Sequence, residues 1–234
     1  MTLIRRSLIA AALAALTAAA PAIAQETQTT PAPAEQAKPA DTQAAATEEK
    51  MPEGKILSDI VLGQAEAPLT IVEYASFTCP HCAAFHAENF PKLKADYIDT
   101  GKVKFVQRDI YFDAVGLWAG ILARCGGDDK YYAVSDLLFD GQKTWLDAKT
   151  GDEIAANLRK VGAKAGMTPE QMDACWADKQ KVADLVATFQ KNATADNVEG
   201  TPSFIIGGEK VKNQPWDDMK KIIDAKLAEA GKQG

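Results

Sequence analysis

Three observations predict an α/β fold in which a block of helices is inserted between two halves of one sheet. Short β-branched, mostly apolar runs at 69–75 and 103–107 flank a helical stretch, giving a strand–helix–strand unit. From about 113 to 197 the apolar periodicity is helical throughout. Strand signals return at 200–212 and lead into a final amphipathic helix. A helical insertion in the central sheet is the economical arrangement of these parts, with a right-handed crossover in the first unit.

The first 24 residues carry the pattern of a secretory signal peptide. Arg5 and Arg6 form a basic start, 8–20 is an Ala-dominated apolar segment, and Ala22-Ile23-Ala24 is a cleavage site. Cleavage after Ala24 and export to a bacterial periplasm are expected, with the Arg pair a hint of twin-arginine export. Residues 25–52 are rich in Ala, Pro, Gln and Thr and hold hardly any large apolar side chain. Such a segment cannot offset its ordering entropy and reads as a disordered tether. Residues 53–234 suit one domain, with the insertion at about 113–197. Loss of Arg5 and Arg6 takes the formal charge from −6 to −8. An acidic chain disfavours nucleic acid and anionic membrane surfaces as partners.

Within the domain, 59–63 reads as a first short strand and 64–68 as a turn, followed by the 69–75 strand. A helix is expected from Thr78, as N-cap, to about Tyr97, with Pro80 in its first turn and Phe85, Phe90, Leu93 and Tyr97 on its buried face. Pro91 should kink it by removing a donor and crowding the preceding turn. In the insertion, Leu117, Trp118, Ile121 and Leu122 mark a helix ending at Cys125-Gly126-Gly127, and a second spans 131–139. A third opens at 151–153 and stops at Gly166, and Thr168-Pro169-Glu170-Gln171 starts a fourth. Val182, Leu185, Val186 and Phe189 mark a fifth. Trp118, Trp145 and Trp176 are expected in the core or lining a groove. Gly207-Gly208 turns the 203–206 strand into a partner at 210–212, and Trp216, Met219, Ile223 and Leu227 form the stripe of the terminal helix.

The chemistry is concentrated in Cys79-Pro80-His81-Cys82, between a buried strand and a helix start. A thiolate at a helix N-terminus meets unpaired backbone N–H groups and the positive end of the macrodipole, so Cys79 is the expected nucleophile. Cys82, one turn inside, is shielded and suited to resolve. His81 offers the Cys79 thiolate a hydrogen bond or a positive charge, which would favour the dithiol and make the disulfide the stronger oxidant. The competing reading is half a zinc site. It needs a second ligand pair, and His81 and His86, the chain's two histidines, both lie in this stretch. No metal and no cofactor are therefore expected. The remaining cysteines, Cys125 and Cys175, suit a structural disulfide in an oxidising compartment, closing a loop of about 50 residues, or else two packed thiols.

Glu73-Tyr74-Ala75-Ser76-Phe77, followed by Cys79-Pro80-His81-Cys82, the helical insertion and Gly200-Thr201-Pro202, together resemble the DsbA-type thiol:disulfide oxidoreductases of the thioredoxin superfamily. The resemblance runs from about Ile60 to Leu227 and implies a thioredoxin-like fold. It implies that Cys79 attacks and Cys82 resolves, that Pro202 is a cis-proline opposite the disulfide, and that Thr201 offers backbone hydrogen bonds to an extended substrate. Glu73 matches the family's buried acid near the resolving thiol, a proton acceptor; the alternative is a solvated strand carboxylate. Implied partners are unfolded exported proteins and a DsbB-like membrane quinone reductase, acting on a monomer. Thr201 departs from the valine of the archetypal oxidases and matches reducing and isomerising relatives. Reductase or isomerase thus stands as the second reading, and a redox-inactive binding module for unfolded chains as the third.

Overall fold

The structure is a computed structural model, and it describes residues 50–232. The expected signal peptide and all but the last three residues of the expected tether lie outside this range.

Five strands form one sheet in the order β1-β3-β2-β4-β5. Its centre is β2 (Leu69–Ala75), parallel to β3 (Val103–Asp109) with Leu69 opposite Val103 and Ala75 opposite Asp109. A strand packed on both faces should read as a continuous apolar run, and β2 does so because it is covered on both sides. Ile71 packs into one core with Phe85, Phe105, Phe204 and Ile223, while Val72 and Tyr74 face Val106 and Ile110 on the other side. β4 (Ser203–Ile206) pairs antiparallel to β2, and β5 (Glu209–Lys212) closes a hairpin on it. The two-residue turn of that hairpin needs positive φ at both positions, and Gly207 and Gly208 supply 56° and 85°. The first strand is shorter than expected: β1 is only Val61–Leu62, paired antiparallel to β3.

The helix after β2 is broken where a single kinked helix was expected. α1 (Pro80–Glu88) ends at Asn89, α2 (Phe90–Leu93) follows, and Lys94–Ile98 winds as a π-turn. Pro91 removes one amide and its ring crowds the carbonyl of residue 87, so the break falls two residues ahead of the proline. The N-cap is also displaced. Cys79, with φ −82° and ψ 119°, caps α1 and makes no side-chain cap bond, while Thr78 turns its hydroxyl to Ser76 at 3.1 Å. Because Pro80 takes the first helical position, the residue before it is held extended, and that residue is the cysteine.

Between β3 and β4 lie α3 (Ala114–Ala123), α4 (Tyr131–Asp140), α5 (Gln142–Trp145), α6 (Gly151–Lys164), α7 (Pro169–Ala177) and α8 (Lys179–Ala195). Two of the starts are set by reciprocal capping boxes, Thr150 with Glu153 and Thr168 with Gln171. The insertion has its own core, around Tyr131, Leu138, Trp145 and Leu158, which continues to Phe77 and Cys82. Trp145 is buried, while Trp118 and Trp176 line an apolar cleft of about 300 Å³. The chain ends in α9 (Trp216–Ala230), whose Met219 and Ile223 pack under the sheet. Among the described residues no helix is long and apolar enough to cross a membrane.

Candidate active site

Both cysteines of the motif are thiols, Cys82 fully buried and Cys79 half-buried at the mouth of α1. A tight turn delivers Cys79 from the end of β2, with its N–H donating to the Ser76 carbonyl at 3.0 Å. Gln142, from the insertion, donates through Nε2 to the Phe77 carbonyl at 2.8 Å and the Cys79 carbonyl at 2.9 Å. The insertion thereby pins the loop carrying the nucleophile. No sequence signal singled Gln142 out, because its partners are backbone atoms 63 and 65 residues away.

The electrostatics divide the pair. The Cys79 thiol is lowered to about 5, chiefly because the Cys82 thiol hydrogen-bonds to its sulfur. Partial burial opposes this, and the Thr201 hydroxyl and the N–H groups of Cys82 and His81 reinforce it. Cys82 is pushed far above the usual thiol range by the same hydrogen bond, by burial and by the negative charge of Glu73. His81 contributes through its backbone. Its side chain is exposed, and its contribution to the Cys79 thiolate comes from the backbone amide. A side chain at the second position of a helix projects outward while its N–H points back at the cap, so the motif's histidine brings a donor without turning its ring inward.

Opposite the cysteines, the Thr201–Pro202 peptide is cis. The Thr201 carbonyl accepts from Cys79 Sγ at 3.4 Å. The Thr201 hydroxyl is buried with no ordinary hydrogen-bond partner in this dithiol form, beside the sulfur that it would serve as a donor once ionised. A cleft of about 320 Å³ runs past Gly200, Thr201 and Pro202 to Lys210 and Lys212 on the edge strand.

Glu73 is completely buried on β2, which excludes a solvated carboxylate. Its Oε2 lies 2.9 Å from Nε2 of His86, one helical turn beyond Cys82 on α1, and the His86 ring stacks on Phe139 at 4.0 Å. Sequence reasoning weighed His86 only as a metal ligand and missed this pairing. The signal was present, since residues i and i+4 share a helix face and Cys82 was already assigned to the buried one. Among the described residues no cluster of three or more metal-ligating side chains is assembled. In the insertion, Cys125 and Cys175 are bonded to each other with their Cα atoms 5.8 Å apart.

The chain is similar to known proteins in sequence and in fold. A family model described as thioredoxin matches residues 55–225. A Rickettsia bellii protein provisionally named a protein-disulfide oxidoreductase is 34% identical over 174 residues, which cover 74% of this chain. The match spans 66% of that relative, just under two thirds of its length. Disulfide bond formation protein D of Bacillus subtilis is 27% identical over 176 residues, covering 71% of this chain and 76% of that protein. The crystal structure of Wolbachia pipientis α-DsbA1 superposes with a TM-score of 0.69 at 25% identity, over 77% of this chain and 96% of that one. The fold and these likenesses agree: the chain belongs to the thioredoxin family, as a DsbA-type member of the superfamily.

Proposed function

We propose that this protein is a thiol:disulfide oxidoreductase that oxidises dithiols of exported proteins in the periplasm. The observation that carries the reading is the division within the pair, a Cys79 thiol held down to about 5 beside a buried Cys82 held up. Whatever stabilises the Cys79 thiolate stabilises the dithiol form, so the disulfide gives up its oxidising equivalent readily.

In the forward reaction a substrate thiolate attacks Cys79 Sγ of the Cys79–Cys82 disulfide. The bond between the two cysteines breaks, Cys82 leaves and takes up a proton, and a mixed disulfide joins Cys79 to the substrate. A second substrate thiolate attacks the substrate sulfur of that bond and releases Cys79 as a stabilised thiolate. An extended substrate segment would lie in the cleft beside Thr201 and Pro202, within reach of their backbone groups. Return to the disulfide requires an outside oxidant, and the family implies a DsbB-like membrane quinone reductase. The names of the relatives support thiol–disulfide chemistry in general. The second reading, a reductase or isomerase, is favoured by one residue: Thr201 adds a hydroxyl donor where the archetypal oxidases carry valine.

Equilibration against glutathione buffers separates the readings. An oxidase should be converted to the Cys79–Cys82 dithiol by buffers that leave Cys125–Cys175 joined, and the oxidised protein should restore disulfides to a reduced, unfolded test protein. Cys82→Ser should accumulate mixed disulfides at Cys79. A couple more reducing than glutathione transfers the assignment to the reductase reading, and absence of mixed disulfides in the variant defeats both enzymatic ones.

A further inference from the structure

Glu73 sits in an unusual hydrogen-bonding position. Its neighbour in register on β3 is Gln107, side by side in the parallel ladder and 1% exposed. An amide there would ordinarily be the natural donor to a buried carboxylate. Gln107 instead gives its Nε2 to Asp109 at 3.0 Å, two residues along its own strand. Asp109 is also held by the Tyr131 hydroxyl at 2.6 Å, so the amide is committed. Gln107 Oε1 and Glu73 Oε1 are both left buried without a partner. His86 is therefore the one side-chain donor to Glu73 among the described residues.

We propose that His86 is a positioning residue for the exchange reaction, its Nε2–H holding the Glu73 carboxylate in place so that Glu73 serves as the base for Cys82 when that thiol resolves a mixed disulfide. The inference rests on the thiol–disulfide reading given above. Cys82 and His86 lie one turn apart on the same face of α1, both buried. Glu73 meets that face from the sheet and its charge already acts on the Cys82 thiol. Of the other polar groups packed here, Asp136 of α4 feels the His86 charge, the Tyr132 hydroxyl donates to the Ile60 carbonyl, and Ser135 Oγ is unpartnered. None of them takes the place of the imidazole.

Cys82 S–H gives up its proton to Glu73, and the thiolate attacks Cys79 Sγ of the mixed disulfide. The bond from Cys79 to the partner sulfur breaks, the Cys79–Cys82 bond forms, and the partner leaves as a thiolate carrying the electron pair. Running the step backward, the pair returns the proton to Cys82 when the disulfide is reduced. Without His86, the buried Glu73 carboxylate loses the one side-chain donor that fixes its orientation.

The test mixes the reduced protein with oxidised glutathione and follows release of glutathione from the Cys79 mixed disulfide against pH. His86→Phe keeps the aromatic stack but removes the donor; release near neutral pH should slow by about tenfold or more. His86→Gln restores an N–H donor and should recover the rate to within about threefold of the native protein. Glu73→Gln should lose as much as His86→Phe, and the double variant little more, because the two act as one unit. Iodoacetamide labelling of Cys79 should keep its pH midpoint in all four variants. A native rate and profile in His86→Phe overturns the proposal, as does His86→Gln no faster than His86→Phe. If His86→Phe does not fold, Glu73→Gln carries the decision, and its resolving at the native rate is equally fatal. A native protein that forms no mixed disulfide at all would instead refute the thiol–disulfide reading beneath.

Discussion

Two pairs of cysteines in one chain have opposite fates, and their surroundings explain why. Cys79 and Cys82 are separated by one helical turn, at a helix end whose amides, with the Cys82 thiol, stabilise a thiolate. Cys125 and Cys175 are 50 residues apart, joining the end of α3 to α7. The same two helices are tied again by the Trp176 indole, which donates to the Trp118 carbonyl at 3.1 Å. The first pair is surrounded by groups that favour its reduced form. The second is surrounded by packing that holds its two ends together. Redox role here is set by the neighbours of the sulfur and not by the sulfur itself.

The sharpest way to break this contrast is to delete the second pair. Replacing Cys125 and Cys175 by Ala should cost roughly 2–5 kcal/mol of stability, since it releases a 50-residue loop in the unfolded chain. Urea denaturation of the oxidised protein reads that loss, and the pH midpoint of Cys79 alkylation should not move. A variant as stable as the native protein would show that the bridge is idle; a displaced Cys79 midpoint would show that the two pairs are coupled.

Much of this contrast was legible along the chain because it is local. Cys79-Pro80-His81-Cys82 announces a helix start in four residues, and Thr168-Pro169 announces another whose capping box the structure contains. The alternation at 103–107 reads as a strand without knowledge of its partner. What escaped depends on meetings between elements. Gln142 reaches carbonyls in a different element, and the Glu73–His86 contact needs both the face of α1 and the register of β2. A kink in the turn before Pro91 was expected, and the structure goes further and breaks the helix there, at Asn89. The motif names residue types, whereas the His81 donor that lowers the Cys79 thiol is a backbone group that any residue would supply.

A second test compares the oxidised and reduced forms. The Cys79 thiol titrates near 5 when folded and at an ordinary thiol pKa of about 8.5 when unfolded. Between those values the unfolded reduced chain holds a proton that the folded one has lost, so the reduced form gains stability as pH rises. The gain is complete above the unfolded value and is lost as pH falls through 5. Cys79 is ionisable only in the reduced protein, so the difference in urea midpoint between reduced and oxidised forms isolates it from the carboxylates that titrate in both. That difference should move in favour of the reduced form from pH 4.5 to pH 7.5. A difference that stays constant over this range would mean that Cys79 is not a thiolate at neutral pH.

The smallest expected effect belongs to His81→Ala, and it is informative because it is small. Alanine retains the backbone N–H that faces Cys79 Sγ, retains the helix that aims it, and leaves Cys82 and Thr201 in place. Only the exposed ring is lost, together with any charge it carries, and that charge reaches the sulfur through solvent. The Cys79 midpoint should therefore rise by less than about 0.5 pH unit, with a correspondingly slight turn toward a more reducing couple. Added salt should shrink the shift further, because an exposed charge is screened within about 10 Å at 0.1 M. Alkylation of the reduced variant across pH 4–8 at two salt concentrations makes the measurement. A rise of a full unit, insensitive to salt, would place the imidazole on the thiolate as a direct donor. The contrast between the two pairs would then rest on a side chain chosen for the task, and not on the helix end that any sequence of this shape provides.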